Sequence, residues 1–481
     1  MAQTDLTYLG AREALDLFKA KKLSPVELMD AAIARAEEVA PTLNPFSNLH
    51  FDEARDKAKL AETKYAKGRR TGALEGLPLA VKEEATIARL PATGGCLALQ
   101  DNIADETLVI VERCFDAGAI MHVRTTTPEF SCAVVTHSRL WGVTRNPWNP
   151  ECTPGGSSGG TAAALAAGVA PIGTGSDIGG SIRVPASTCG LVGFKPPYGR
   201  NPESRIFNLD FFAVEGPLAR SVADCALLQN VMAGPHERDI ASLKPKLTLP
   251  DSFKPVKGMK IALSMDLGFC VVSKEVRKNT MDAVAKLRDA GAIVEEVDLG
   301  WTPTVRTAAL GHLGHIMGSA LEPMLRRHRH ELTRYVAAIA ENARDTTAQD
   351  LIEAHRIAGE MYDTLGPLLR RYDALICPTT GLPAAPADHC PVTGHLEIDG
   401  VTVEPGFGWV MSYPFNVMGH CPVLSVPSGL AKNGVPTGLQ IVARPYDDVT
   451  VFRVGAAVEA ADPWFTRAAR RPKLTAQTRG K

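Results

Sequence analysis

The chain predicts an α/β fold: a single large domain on a mixed, mostly parallel central sheet, covered by helices on both faces. Three observations carry this. From about residue 76 onward, short apolar runs alternate with helical segments and glycine-rich turns, the pattern of strands joined by helical crossovers. No internal repeat and no low-complexity linker divides the 481 residues. Apolar residues make up 45% and charged residues 22%, the balance of a globular protein able to bury a large core.

The first seventy residues read as a helical arm (1–70) packed on the main domain (71–481). "SPVE" at 24–27 is a capping box, with Ser24 as N-cap, Pro25 at the first helical position and Glu27 at the third. Leu23 and Leu28 staple its start. The helix "VELMDAAIARAEEVA" is expected to stop before Pro41. "DEARDKAKLAETKYAKG" is a second, solvent-facing helix. Further on, "LPLAVK" is a strand, "ETLVIVERCFDAGA" a helix closed by Gly118, and "IMHVRT" a strand. "KIALSMD" is another strand, and "SKEVRKNTMDAVAKLRDAGAIVEEVDL" a capped helix, a stop at Gly291 and a strand. Residues 301–371 read as helical, "RYDALICPTT" as a strand and turn, and 378–408 as a long irregular connection.

Several function classes are disfavoured. Lys+Arg 52 against Asp+Glu 53 leaves no bulk charge to hold nucleic acid or an anionic membrane. No stretch reaches the length of a spanning helix, and the opening "MAQTDLTYLGAREAL" has no secretory pattern. The ten cysteines form no CxxC pair, which fits reduced thiols in a cytoplasmic protein. His312 and His315 share a helical face but lack further ligands, so neither metal nor cofactor is expected.

Three stretches carry reactive side chains. "GLPLAVKEEA" ends an apolar strand on Lys82. "CTPGGSSGGTAAALAAG", 152–168, sets Ser157 and Ser158 between two glycine pairs ahead of an alanine-rich helix. "GSDIGGSIRVP", 175–185, places Asp177, two glycines, Ser181 and Arg183 in sequence. "GGSSGG" satisfies GxSxG twice, but the Pro- and Asn-rich residues before it are no strand, so a hydrolase elbow does not fit. A phosphate loop fails for want of a GK[ST] after the glycines.

Taken together, the three stretches resemble the amidase signature family of Ser–Ser–Lys hydrolases. The resemblance extends through "LSPVELMDAAIAR", "TTTPEF", "GVTRNPWN", "GTGSDIGGSIRVPASTCGLVGFKPPYGR", "GPLARSVADCALLQNVMAG" and "PFNVMGHCPVLSVPSGLAKNGVPTGLQIVARPYDD", and is loosest over 301–420. It implies that Ser181 is the nucleophile and that Ser157, after a cis Gly156–Ser157 bond, bridges it to the base Lys82. It also implies an oxyanion hole from the backbone N–H groups of Ile178, Gly179, Gly180 and Ser181, with Ser158, Asp177 and Arg183 as supports. The chemistry is coherent. A serine hydroxyl needs a base, lysine is one only when neutral, and glycines let consecutive N–H groups turn toward developing charge. The sequence departs from the family pattern at Glu83, expected to alter how Lys82 is held, at Ser176, and at Val123–Arg124.

The expected function is amide hydrolysis of a small, apolar or aryl substrate, with esters, carbamates and acyl hydrazides open to the same machinery. Phe207, Phe212, Trp409 and Phe415 are expected to line the acyl pocket, since they fall in loop-rich segments. Two rivals stand beside this: a glutamine-hydrolysing A-type subunit of a tRNA-dependent amidotransferase, and a catalytically inactive scaffold. A homodimer is compatible with either enzyme reading.

Overall fold

Eleven strands form one continuous sheet in the order β1-β3-β2-β6-β8-β7-β14-β15-β11-β9-β10. The computed structural model describes residues 5–474. In chain order the strands are β1 Phe46–Leu49, β2 Pro78–Lys82, β3 Ile120–Thr125, the short pair β4 His137–Ser138 and β5 Gly142–Val143, β6 Ile172–Asp177, β7 Val192–Lys195 and β8 Val214–Ala219. They continue with β9 Lys260–Leu263, β10 Ile293–Glu296, β11 Ala374–Pro378, the small hairpin β12 Glu397–Ile398 and β13 Val401–Thr402, β14 Val423–Leu430 and β15 Pro436–Val442.

The sheet is mixed, as expected, but its parallel pairs sit only toward the flanks: β2 with β3 and β6, and β9 with β10 and β11. From β6 through β8, β7, β14 and β15 to β11 every pair is antiparallel. The parallel share is therefore smaller than the sequence pattern suggests. The link from β14 to β15 is too short for a crossover and can only make a hairpin.

Alternate residues of the strands feed different layers, as a period of two demands. Leu79 and Val81 of β2 join the core under α4 Val109–Asp116, α7 Val222–Met232, α8 Lys274–Asp289 and α14 Asp448–Ala461. Ala80 faces the other way, onto α5 Gly159–Ala166 and α6 Arg183–Cys189. On that same side, farther along the sheet, Leu375, Cys377, Val423 and Val442 meet a helical cap. The cap is α9 Thr304–Leu313, a single π-turn at Gly314–Gly318, α10 Ser319–His328, α11 Arg334–Asn342 and α12 Ala348–Arg371.

The first seventy residues contribute α1 Ala11–Lys19, α2 Pro25–Leu43 and α3 Phe51–Ala66, and their strand β1 pairs antiparallel with β3 at the sheet edge. The capping box of α2 is formed, with Ser24 N–H donating to Glu27 at 2.8 Å and Val26 N–H to Ser24 Oγ at 3.0 Å. The helix does not stop before Pro41. It runs through Pro41, which gives up one i→i−4 bond near the end, and stops at Leu43, capped by Asn44 in the left-handed conformation (φ 48°) with its N–H on the Ala40 carbonyl.

Candidate active site

Two parallel neighbours, β2 and β6, end side by side, and their carboxyl ends define the site. Beyond the carboxyl ends of parallel strands, side chains escape the sheet and converge on open space. Lys82 is the last residue of β2, and Ser176 and Asp177 are the last of β6. Lys82 N–H donates to Thr174 Oγ1 at 3.0 Å, which fixes the strand end. The lysine Nζ then reaches Ser157 Oγ and Ser176 Oγ, each at 2.7 Å, with only 1% of its side chain exposed. Ser157 and Ser158 precede α5, the Gly156–Ser157 peptide is cis, and both serines are buried.

Glu83 does not hold the lysine. It turns away and accepts from Thr93 N–H (2.7 Å), Thr93 Oγ1 (2.9 Å) and Gly94 N–H (3.1 Å). Just past the end of β2 the chain turns, and this turn brings the next residue, Glu84, back onto Lys82, Oε2 at 2.6 Å from Nζ. Arg124 braces this turn from β3 by donating to the Ala85 carbonyl at 2.9 Å.

Ser181 stands just before α6 and is brought against the Ser157 segment by the backbone, with Ser158 N–H donating to the Ser181 carbonyl at 3.1 Å. Among the described residues no hydrogen bond joins the Ser157 and Ser181 hydroxyls; such bonds are often long until substrate is bound. The loop leading to Ser181 is tightly specified. Gly180 has φ 128°, and a Cβ there would lie 1.9 Å from Ser412 Oγ, so only glycine fits.

Gly180 differs from the expected oxyanion donor: its N–H is already bonded to Asp177 Oδ1 at 2.8 Å. The N–H groups of Ile178, Gly179 and Ser181 have no such partner among the described residues. Asp177 also accepts from Ile182 N–H at 3.1 Å and pairs two-pronged with Arg183, Nε to Oδ2 at 3.0 Å and NH2 to Oδ1 at 2.9 Å. Burial, the largest single influence, would raise the Asp177 carboxyl; the Arg183 charge, hydrogen bonds from Arg183 and Asn416, and the charge of Lys195 together outweigh it and hold the group below its ordinary value.

Arg183 in turn donates to the Ser412 carbonyl (2.8 Å), Gln440 Oε1 (3.1 Å) and Asn416 Oδ1 (2.6 Å). Ser412 Oγ closes the circle on the Gly179 carbonyl at 2.8 Å. Ser412, Asn416 and Gln440 were not legible as site residues: the first two lie inside "FGWVMSYPFNVMG", where aromatics dominate the reading.

Ser181, Ile178 and Gly179 form one wall of a cavity of about 790 Å³. The other walls come from the helical cap and the late loops: Leu310, Leu313, Met317, Ile339, Ile357 and Phe407. The four aromatics expected there lie elsewhere. Phe212, Trp409 and Phe415 are buried in the core, and Phe207 starts a 3-10 turn away from the cavity. Large rings carry the most apolar area and so are drawn into the core; Phe407, half-buried, and Tyr335 are the rings that line the cavity among the described residues. His312 hydrogen-bonds Asp210 at 2.8 Å and stacks on Phe212.

A family model described as Amidase matches residues 27–452. The chain belongs to the amidase signature family. It is 34% identical to an acylamidase of Rhodococcus erythropolis, over 96% of this chain and 98% of that one. It is 31% identical to the A-type subunit of the glutamyl-tRNA(Gln) amidotransferase of Chloroflexus aurantiacus, over 98% and 99%. Among solved structures it matches a bacterial aryl acylamidase of the same family with a TM-score of 0.89 and 31% identity, over 95% of this chain and 97% of that one. The enzyme is thus an amidase, a hydrolase of carbon–nitrogen bonds other than peptide bonds. Among its described residues no helix is long and apolar enough to cross a membrane.

Proposed function

We propose that the enzyme hydrolyses the carboxamide of a small substrate with an apolar or aryl acyl group, through a covalent seryl acyl-enzyme. The observation that carries this is the convergence of Lys82 Nζ on Ser157 Oγ at 2.7 Å, one backbone hydrogen bond away from Ser181 on the cavity wall. In this reading Ser181 Oγ attacks the carbonyl carbon. Its proton passes to Ser157, and the Ser157 proton to neutral Lys82. The oxyanion is met by the N–H groups of Ile178, Gly179 and Ser181. Collapse breaks the carbon–nitrogen bond, and the amine leaves with the proton returned along the same path. Water then repeats the sequence and releases the carboxylic acid. Asp177, Arg183 and Ser158 hold the loop. The same steps act on an ester, a carbamate or an acyl hydrazide.

The apolar cavity walls favour an apolar acyl group. Among the described residues no lysine or arginine lines the cavity, whereas Asp345, Asp350, Glu353 and Glu404 do. That charge pattern disfavours the α-carboxylate of free glutamine and so weighs against the amidotransferase reading. A cytoplasmic location belongs to the same proposal, in keeping with ten unpaired cysteines.

The test is a fluorophosphonate label mapped by mass spectrometry, alongside rates on benzoyl and phenylacetyl anilides, acetamide and glutamine. The expected results are an adduct on Ser181, its loss in Ser181→Ala and Lys82→Ala, and anilide rates at least tenfold above acetamide. An adduct on Ser158 with Ser181 untouched, or glutamine as the best substrate, would overturn the reading.

A further inference from the structure

Lys82 Nζ touches three oxygens: Ser157 Oγ at 2.7 Å, Ser176 Oγ at 2.7 Å and Glu84 Oε2 at 2.6 Å. The Ser176 hydroxyl proton is already given to Glu84 Oε2, at 2.5 Å. Toward the lysine, Ser176 therefore only accepts, and an ionised carboxylate accepts in any case. A neutral amine has two N–H bonds and one lone pair, arranged tetrahedrally. Two of its three contacts are acceptors without a proton to offer. The third, Ser157, still has one. We propose that Glu84, together with Ser176, is a positioning residue: it takes an N–H of Lys82 and so turns the amine lone pair onto Ser157. This rests on the reading of Lys82 as the base.

The surroundings support a special role for this one carboxylate. The titratable groups facing the lysine and its partner are Glu215 from β8, directly across from Ser176 in register, Glu203 from the β7–β8 connection, and Cys132 from the loop after β3. Burial raises Glu203 and Glu215 and keeps the Cys132 thiol protonated. For Glu84 burial also opposes ionisation, but the charge of Lys82 and hydrogen bonds from Lys82, Ser176 and Ser131 outweigh it, so its carboxyl is held below the ordinary value. A single negative charge thus faces the amine. It aims the lone pair from 2.6 Å.

The experiment is the pH dependence of kcat/KM on an anilide, with fluorophosphonate labelling rates, for Glu84→Gln, Glu84→Leu and Lys82→Ala. Glutamine keeps an acceptor oxygen and loses the charge. Its acid limb should move down by about one pH unit or more, with KM within about threefold of the parent. Leucine loses the acceptor; kcat and the labelling rate should fall together by roughly a hundredfold, with KM within about threefold. Folded Glu84→Gln and Glu84→Leu proteins with the parental pH limb and kcat would overturn the proposal. Should the leucine variant fail to fold, the pH limb of Glu84→Gln decides alone. An inactive Lys82→Ala beside an unmoved Glu84→Gln limb sinks only the role of Glu84. A Lys82→Ala protein that labels at the parental rate sinks the base reading, and this proposal with it.

Discussion

Replacing Asp177 by asparagine changes one oxygen to an NH2 group in a fully buried clamp. The two carboxylate oxygens divide the work. Oδ1 accepts from Gly180 N–H, Arg183 NH2 and Asn416 Nδ2, at 2.8, 2.9 and 2.9 Å. Oδ2 accepts from Ile182 N–H, Arg183 N–H and Arg183 Nε, at 3.1, 3.4 and 3.0 Å. Whichever oxygen the amide nitrogen replaces, three donors lose their acceptor and meet another donor. A buried guanidinium is also left without its counter-charge, although the carbonyl of Ser412 and the side chains of Gln440 and Asn416 remain. Breaking a buried pair from one side costs about 3–5 kcal/mol, and that loss is expected in urea unfolding followed by tryptophan fluorescence. The released loop also loses the alignment of Ile178 and Gly179, so kcat/KM should drop by at least about a hundredfold, the scale of one lost oxyanion donor. Substituting both partners, Asp177→Asn with Arg183→Met, should cost less than the sum of the two single changes, since no charge is then orphaned. An Asp177→Asn protein within about 0.5 kcal/mol of the parent, the usual scatter for a neutral surface change, would refute the reasoning.

Two further outcomes follow from other residues. Burial holds His122 of β3 at about 4, against an ordinary 6.5. The unfolded chain therefore binds the extra proton first, and stability should fall by about 3 kcal/mol as pH drops from 6.5 to 4; an identical pH slope in His122→Leu would exclude this residue as the cause. Phe407 stands over Gly179, its ring 3.1 Å from where a Cβ would project. Phe407→Ala should cut kcat/KM on benzoyl anilides by about tenfold or more, the worth of one apolar ring, while acetamide rates change little; equal losses on both substrates would mean the ring serves the fold rather than the substrate.

The three reactive stretches stood out by composition, two serines among four glycines above all, but the roles expected of Lys82, Ser157 and Ser181 came from the family resemblance, since a lysine closing an apolar strand more often reaches for water. Helices α2, α4 and α8 were legible from caps, periodicity and glycine stops. Strand β6 was not: "IGTGSD" has two glycines and no alternation, and it pairs only because both its faces are covered. The positions of Glu84, Ser412, Asn416 and Gln440 were hidden for a different reason. Each acts through a contact made by tertiary folding, and nothing in its own neighbourhood marks it. The same holds for the aromatics: core and cavity both attract rings, and of those in the two segments singled out, Phe407 is the one that lines the cavity.

The Arg183–Asp177 clamp also has a consequence for when the enzyme becomes active during its own synthesis. Asn416 is 239 residues downstream of Asp177, and Gln440 is 257 downstream of Arg183. At roughly 5–20 residues per second, a ribosome needs on the order of ten to fifty seconds to make that intervening chain. For all that time the serine-bearing loop has its own Asp177–Arg183 pair but not the late residues that bond to it. A chain cut short before residue 411 holds Lys82, Ser157 and Ser181 complete, yet lacks every downstream acceptor of the Arg183 guanidinium. The loop therefore reaches its fully hydrogen-bonded form only once the late segment has been made and folded onto it.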